Sequence, residues 1–313
     1  MGRAAAPAVL RRARPLLGTL VEIGLCWPVG VADGTGPVAG HAGPSHQAGG
    51  AANGASPPAD AACAALEAGF AAIHHAQACL SRFDPASDLS LFHALPVGQR
   101  LAVRPVTGQV LAAAQALHLA SDGLFDISLG SARAGWWLDG AWLEKRDGTV
   151  RLDLGGIGKG HAVDLAVQAL QRHGAVAGWV NAGGDLRAFG DLDLPVQLRQ
   201  ADGGVRTFAH LRDGAFATSA FGPGQRSSLA GRGGDRFDGS AATRPGRPRR
   251  SSRAGRCATA HTAHTAHTAH VSVAAPLCLW ADALTKLVAA SGNPAHALLA
   301  QHGASAWWHG MPP

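Results

Sequence analysis

Residues 152–164 read LDLGGIGKGHAVD, an apolar run that breaks into four glycines and one lysine and then resumes with helical spacing. Val150, Leu152 and Leu154 alternate as a strand does, and the run from about Lys159 onward has the period of a helix. Between them lies a turn suited to glycine, the residue that costs least in left-handed backbone. A strand, turn and helix in that order gather backbone amides, backbone carbonyls, Asp153 and Lys159 around one point. That chemistry suits a phosphate and its metal.

Two familiar phosphate loops fail on particular residues. A P-loop needs Ser or Thr after its lysine and glycine five positions before its last glycine, but Gly160 follows Lys159 and Asp153 stands at the leading position. A GxGxxG dinucleotide fingerprint counted from Gly156 and Gly158 requires a third glycine where His161 stands.

The chain has 313 residues, 47% hydrophobic and 15% charged, which supports one large core or two smaller ones and excludes a disordered protein. Its formal charge of +6 is local, because many arginines cluster in 226–256 without any nucleic-acid-reading motif beside them. A basic solvated loop is expected there, and no nucleic-acid partner. The five cysteines (Cys26, Cys63, Cys79, Cys257, Cys278) contain no CxxC, so neither a zinc site nor a disulfide framework is indicated. Arg11, Arg12 and Arg14 are followed by no uninterrupted apolar segment and no cleavage site. No run reaches the roughly 18 apolar residues of a membrane span. The expectation is a cytoplasmic protein with no transmembrane segment.

Outward from the central stretch, residues 16–26 alternate as a strand entered through Pro15. Residues 27–59 are Gly, Ala, Pro and His, the composition of a flexible loop. Asp60 caps a helix to Leu80, with Leu66, Phe70 and Ile73 on its buried face. Turn chemistry fills 81–95, where Phe83 is placed at a loop mouth. Thr107 caps a second helix that runs to Ser121 and stops at Gly123. Asp126 follows in GLFDISLG, a setting that buries it and so demands a partner. Trp136, Trp137 and Trp142 belong to a core-forming connection.

Beyond the motif, 177–189 reads as strand, Gly-Gly turn and strand, and 195–199, 206–211 and 215–218 continue an antiparallel meander. Residues 222–270 lose all pattern and end in AHTAHTAHTAH, a repeat that lacks carboxylates and marks low complexity rather than a metal site. A strand at 271–276, a helix at 278–291 stopped by Gly292, a helix begun by Pro294 and a strand at 304–308 close the chain.

RPLLGTLVEI, SRFDPASDLS, SDGLFDISLG, LDLGGIGKGHAVD, VNAGGDLRAFG, FATSA and SVAAPLCLWADALTK occur in the order and approximate spacing of the FAD:protein FMN transferases, the ApbE-type flavin transferases. The resemblance spans about 14–220 and 271–308. It implies a single α+β domain over 14–309 with a mixed or antiparallel sheet, flanking helices and two long low-complexity loops at 27–59 and 222–270. The reaction it implies cleaves FAD at its diphosphate, attaches FMN to a threonine hydroxyl of a target flavoprotein and releases AMP, with Mg²⁺ required. Matched by position, the implied flavin contacts are Leu17, Phe83, Leu124, Phe125, Asp126, Asp153 and Lys159. The implied metal ligands are the Gly156 carbonyl and the Asp282 carboxylate, with Thr285 beside them, and Asp282 and Lys159 are the implied catalytic pair.

Three departures stand out. Leu17 replaces the usual Met, a swap of similar volume. Lys286 stands where the resemblance calls for Thr, and the threonine is one residue earlier at Thr285, rotated by about 100° on a helix. No His-Ile-x-x-Pro segment occurs in 222–270. A flavin-binding or flavin-trafficking protein without transfer, and an FAD pyrophosphatase giving FMN and AMP, are the alternatives.

Overall fold

The N-terminal chain is a hairpin of β1 (Ala8–Leu16) and β2 (Thr19–Trp27), turned at Leu17 and Gly18, which both adopt positive φ. After it come α1 (Pro58–Leu80), α2 (Asp88–Ala94), β3 (Arg100–Ala102), α3 (Pro105–Ala120), β4 (Trp136–Asp139) and β5 (Trp142–Lys145). The middle of the chain supplies α4 (Gly158–Arg172), β6 (Ala177–Ala182), β7 (Asp185–Phe189), β8 (Leu194–Arg199), β9 (Val205–Leu211) and β10 (Gly214–Phe221). The chain closes with β11 (Ala269–Ala275), α5 (Cys278–Ser291), α6 (Ala297–Gln301) and β12 (Ser305–His309). This computed structural model describes residues 8–27, 58–199, 204–221 and 269–309. The expectations for 28–57 and 222–268, including most of the histidine repeat, lie outside the described residues. Among the described residues no helix is long and apolar enough to cross a membrane.

The fold is α+β. Seven strands form one sheet in the order β1-β2-β6-β7-β10-β11-β12, every neighbouring pair antiparallel. β3, β5 and β4 make a small second sheet, and β8 and β9 pair with each other. The alternation in β2 buries Val21, Ile23 and Leu25 completely and leaves Leu20 exposed. That buried face meets Leu66, Phe70 and Ile73 of α1 and Val163, Val167 and Leu170 of α4 in one core. A second core gathers Leu111 and Leu117 of α3, Leu143 of β5, Val271 and Val273 of β11, and Leu284 and Leu287 of α5. Because α5 also places Cys278 and Ala281 in the first core, it joins the two.

The docking of α4 on α5 depends on two residues of the glycine stretch. A Cβ on Gly160 would stand 2.6 Å from the Cys278 carbonyl carbon and 2.9 Å from the Asp282 Cβ, so only hydrogen fits there. One turn later the Asp164 carboxylate accepts the Cys278 N–H at 3.0 Å and the Leu279 N–H at 2.9 Å. Leu277, the N-cap of α5, makes no side-chain cap bond, so Asp164 supplies from a neighbouring helix the acceptor that the first turn lacks. Arg187 of β7 donates to the same carboxylate at 2.7 Å and balances its charge.

Several sequence expectations change. Residues 150–154 are not a strand, although Val150, Leu152 and Leu154 are buried: the Leu152 N–H donates to His93 Nε2 at 2.8 Å and the Asp153 N–H to the Ile127 carbonyl at 2.8 Å. A loop and an imidazole take the place of a strand partner. Asp60 lies in the first turn of α1, which begins at Pro58. Thr107 caps nothing; α3 starts at Pro105, and the fully buried Thr107 hydroxyl bonds to Asp88. The stretch read as turns contains α2, capped by Ser87, whose Oγ accepts the Ser90 N–H at 3.1 Å. The meander breaks as well, since β8 and β9 stand apart and β10 returns to pair with β7.

Gly160→Ala is expected to destabilise the protein by about 1–3 kcal/mol, because its nearest neighbours are backbone atoms that cannot step aside. Gly158→Ala, whose added methyl would meet Leu154 Cβ at 3.4 Å, is expected to change stability by less than about 1 kcal/mol. Thermal melts of the two variants check the contrast, and equal losses would show that the close approach at Gly160 is not what limits this helix pair.

Candidate functional site

The chain enters α4 through a tight turn in which the Ile157 and Gly158 N–H groups both return to the Leu154 carbonyl, at 3.1 and 2.7 Å. Asp153 braces that turn. One carboxylate oxygen accepts the Gly155 N–H at 2.7 Å, and the other faces the Arg82 guanidinium at 3.1 Å. Arg82 in turn lies over the Phe83 ring, 4.7 Å from its centroid, and Phe83 is 81% exposed. Leu80, the last residue of α1, stands 3.6 Å from the point where a Cβ of Gly158 would be. The end of α1, the loop after it and the start of α4 therefore share one corner.

The other expected flavin contacts are held by partners of their own. Leu17, in the β1–β2 turn at φ 55°, donates its N–H to Gln77 Oε1 of α1 at 2.5 Å. Beside it opens a recess of ≈ 400 Å³ lined by Pro15, Leu16, Gly18, Thr19, Leu20 and Gln77. Thr19 packs against Gly183 of the β6–β7 turn, where φ is +63° and an added Cβ would meet Thr19 Cβ at 3.0 Å. Leu124 is half-buried on the second core, whereas Phe125 is fully buried within it and its carbonyl bonds to His118 Nδ1 at 2.9 Å. Asp126 finds the partners its burial demands: Ser128 N–H at 2.8 Å, Ser128 Oγ at 2.7 Å and Gly130 N–H at 3.1 Å, with Arg133 at 3.6 Å. The whole 124–128 loop is tied to the glycine stretch by the bond from Asp153 N–H to Ile127.

The charged centre of the site is a cluster of four ionic side chains on α4, β7 and α5. Lys159, at the first turn of α4, is bonded to Asp185 and lies 3.9 Å from Asp282. Asp282 is fully buried; the Gly160 N–H donates to its Oδ2 at 3.2 Å and the Lys286 ammonium to its Oδ1. Lys286 also donates to Ser219 Oγ at 2.8 Å and to the Asp282 carbonyl at 3.2 Å. Thr285, fully buried, donates to the same carbonyl at 2.7 Å and shares a bond with Ser219 at 2.8 Å. Two of these residues, Asp185 and Ser219, carry no role in the sequence reading, although both lie inside quoted motifs, NAGGD and FATSA. The available signal for Asp185 was its place directly after a Gly-Gly turn, which fixes it at the mouth of a hairpin.

The electrostatics follow from burial. For Asp185, burial first and the nearby Asp282 second push the carboxyl up to about 6, against the pull of Lys159 and Lys286. Burial also works to raise Asp282, but Lys286 and Lys159 outweigh it and hold that carboxyl below its usual range. Burial opposes the charge on Lys159, yet Asp282 and Asp185 together hold its ammonium above the usual lysine value. Lys159 keeps 33% of its side chain in contact with solvent, so of the four it is the group most available to an incoming anion.

Mg²⁺, the ion implied for Asp282, Thr285 and the Gly156 carbonyl, takes oxygen ligands with free lone pairs and favours net negative charge. Both Asp282 oxygens here already accept from cationic or backbone donors, and two ammonium groups balance two carboxylates. The arrangement does not fit a divalent ion.

A carboxyl with a raised folded value binds a proton that the unfolded chain has already released, so its stabilising contribution is complete below the ordinary Asp range and is lost as pH rises through about 6. Asp185→Asn removes that slope. Melts of both proteins are expected to show the variant gaining stability relative to the parent between about pH 4 and pH 7. A constant difference would mean that Asp185 titrates as an ordinary carboxylate.

A model of the ApbE family matches residues 52–142 and 135–308 of the chain. No curated protein matches it in sequence. Among solved structures, the flavin transferase ApbE from Vibrio cholerae superposes with a TM-score of 0.64 at 17% identity, covering 96% of this chain and 93% of that one. The flavinyl transferase ApbE of Pseudomonas stutzeri, in its apo form, gives 0.63 at 19% identity over 98% and 93%. The ApbE protein from Thermotoga maritima gives 0.57 at 19% over 90% and 86%. At these identities the likeness is one of fold. The family match covers most of the chain, in step with the motifs that build the Lys159, Asp185 and Asp282 cluster, and the chain belongs to the ApbE family.

Proposed function

We propose that this protein is a flavin transferase that takes FAD as substrate, cleaves its diphosphate, passes FMN to a threonine hydroxyl of an acceptor flavoprotein and releases AMP. The observation that carries this reading is the partly exposed Lys159 ammonium at the first turn of α4, held between Asp185 and Asp282. Two of the similar solved structures are a flavin and a flavinyl transferase, which supports the class of reaction.

In this reading the threonine oxygen forms a bond to the phosphorus of the FMN half while the bond from that phosphorus to the bridging oxygen breaks. The hydroxyl proton is released, and AMP departs with the bridging oxygen. Negative charge grows on the bridging and peripheral oxygens, and Lys159, aided by the positive end of α4, offsets it. The open recess beside Leu17, lined by Pro15, Leu16 and Leu20, offers the isoalloxazine ring an apolar surface. Phe83, in the loop after α1, presents an exposed ring with the Arg82 guanidinium stacked on it. Asp126 and Asp153 act by shaping the loops that face the ligand, since their carboxylates are occupied by backbone N–H groups. Asp282 acts through its hold on Gly160 and Lys286.

Incubation of the protein with FAD and a candidate acceptor domain tests the reading, followed by AMP chromatography and acceptor mass. The expected result is AMP release matched by an acceptor heavier by one FMN. AMP without adduct would make the protein a pyrophosphatase, and bound intact FAD with neither product would make it a flavin carrier. Lys159→Met is expected to slow transfer by roughly 10²–10³-fold, the loss usual for one preorganised donor to developing negative charge. An unchanged rate would remove Lys159 from the chemistry.

A further inference from the structure

The Lys286 ammonium has three hydrogens, and all three are spent on oxygens that converge on one point: Asp282 Oδ1, the Asp282 carbonyl at 3.2 Å and Ser219 Oγ at 2.8 Å. Its side chain is 9% exposed and that of Asp282 is wholly buried, so no water layer separates them. The point so enclosed lies beside Thr285 and on the carboxylate that the family resemblance assigns to a metal. A divalent ion on Asp282 would have to expel the ammonium from its oxygens, and the cluster of Lys159, Lys286, Asp185 and Asp282, now neutral, would carry a net charge of about +2 in a buried setting.

We propose that Lys286 is a built-in cation that takes the metal's place on Asp282, and that the site of this chain binds its flavin diphosphate without a divalent ion. Lys286 is a positioning residue: with its hydrogens committed it holds Asp282 and, through that carboxylate, the Gly160 amide at the entry of α4. Lys159 is left as the cation that meets the ligand. Only the part that concerns flavin rests on the function proposed above; the part that concerns metal stands without it.

Binding of Mn²⁺, followed by its electron paramagnetic resonance in the absence of flavin, tests the metal arm on the full chain. The parent protein is expected to leave the free Mn²⁺ signal unchanged. Lys286→Thr, which removes the ammonium and leaves a hydroxyl, is expected to bind Mn²⁺ at least about tenfold more tightly than the parent, and adding Asp282→Asn is expected to abolish that gain. A parent protein that binds one Mn²⁺, lost in Asp282→Asn alone, would overturn the proposal whether or not the lysine variant folds. Lys286→Met, close in length and without charge, separates loss of the ammonium from loss of packing. In the flavin arm, FAD fluorescence quenching is expected to give the same affinity in Mg²⁺ and in EDTA, within about threefold. Quenching seen only with Mg²⁺ would overturn the inference while leaving flavin binding intact, whereas no quenching in either buffer would count against the proposed function alone, because the Mn²⁺ arm still decides the role of Lys286.

Discussion

The close approach of α4 to α5 is the constraint from which the site follows. It needs a residue without a side chain at Gly160, where any Cβ would run into the Cys278 backbone, and a carboxylate one turn on, at Asp164, to receive the first two amides of α5. Both conditions are met by one short motif. The second does more than hold a helix end: by capping α5 from outside, Asp164 fixes where that helix starts and therefore where Asp282, one turn further along, points. Arg187 ties the same carboxylate to β7, the strand that also carries Asp185. Helix, helix and strand are thus pinned at a single buried acid, and the cluster of Lys159, Asp185 and Asp282 is assembled between them.

The choice of cation in that cluster has a physical reason. Of 27 Lys and Arg residues, only Lys145, Lys159 and Lys286 are lysines, and each places its ammonium on protein oxygen: His93 carbonyl at 2.7 Å, Asp185 and Asp282. A chain that otherwise uses arginine keeps lysine where a small tetrahedral charge must fit among converging acceptors. The flat guanidinium fork suits acceptors ranged along one edge, as at Arg104, whose Nε meets Asp88 at 2.9 Å and whose Nη2 meets the Ala86 carbonyl at 3.1 Å. At Lys286 the three acceptors surround a point instead.

Local signals were legible in the sequence, and long-range ones were not. The Gly-Gly turn between β6 and β7, the end of α5 at Gly292 and the helix out of the glycine stretch all rest on neighbours within a few residues, and each stands where the pattern put it. Thr107 misled because a threonine just before an apolar run satisfies the local rule for a cap, while its real partner, Asp88, is 19 residues away and in another helix. Val150, Leu152 and Leu154 misled for a related reason: alternation reports burial on one side, and here the backbone partners are His93 and Ile127 rather than a strand. In the site, the motif containing Lys159 could be read as a place for an anion, but Asp185 gains its meaning only from a strand 26 residues on that the fold lays beside α4. Leu17, Phe83 and Leu124 were assigned to the flavin through resemblance, since a turn leucine or an exposed phenylalanine names no ligand of its own.

The two oxygens of Asp282 show how these levels join. One faces α4, and there the absence of a side chain at Gly160 lets a backbone N–H reach it at 3.2 Å. The other faces along α5, where a residue four positions on lies on the same side of the helix, and Lys286 occupies that position. An i,i+4 ion pair on a helix surface contributes only about 0.2–0.5 kcal/mol. Buried, the same pair is required, because either charge left alone in the core would cost several kcal/mol. Replacing the residue at 286 by one that cannot carry charge therefore leaves Asp282 with an open oxygen and an uncompensated charge, the two conditions that invite a cation from solution. The threonine at 285 cannot meet that need, for its hydroxyl is turned to the Asp282 carbonyl and to Ser219 rather than to the carboxylate. A one-residue difference in which side chain carries the function, set against a fixed helix start, decides whether the positive charge in this site is part of the chain or must be supplied to it.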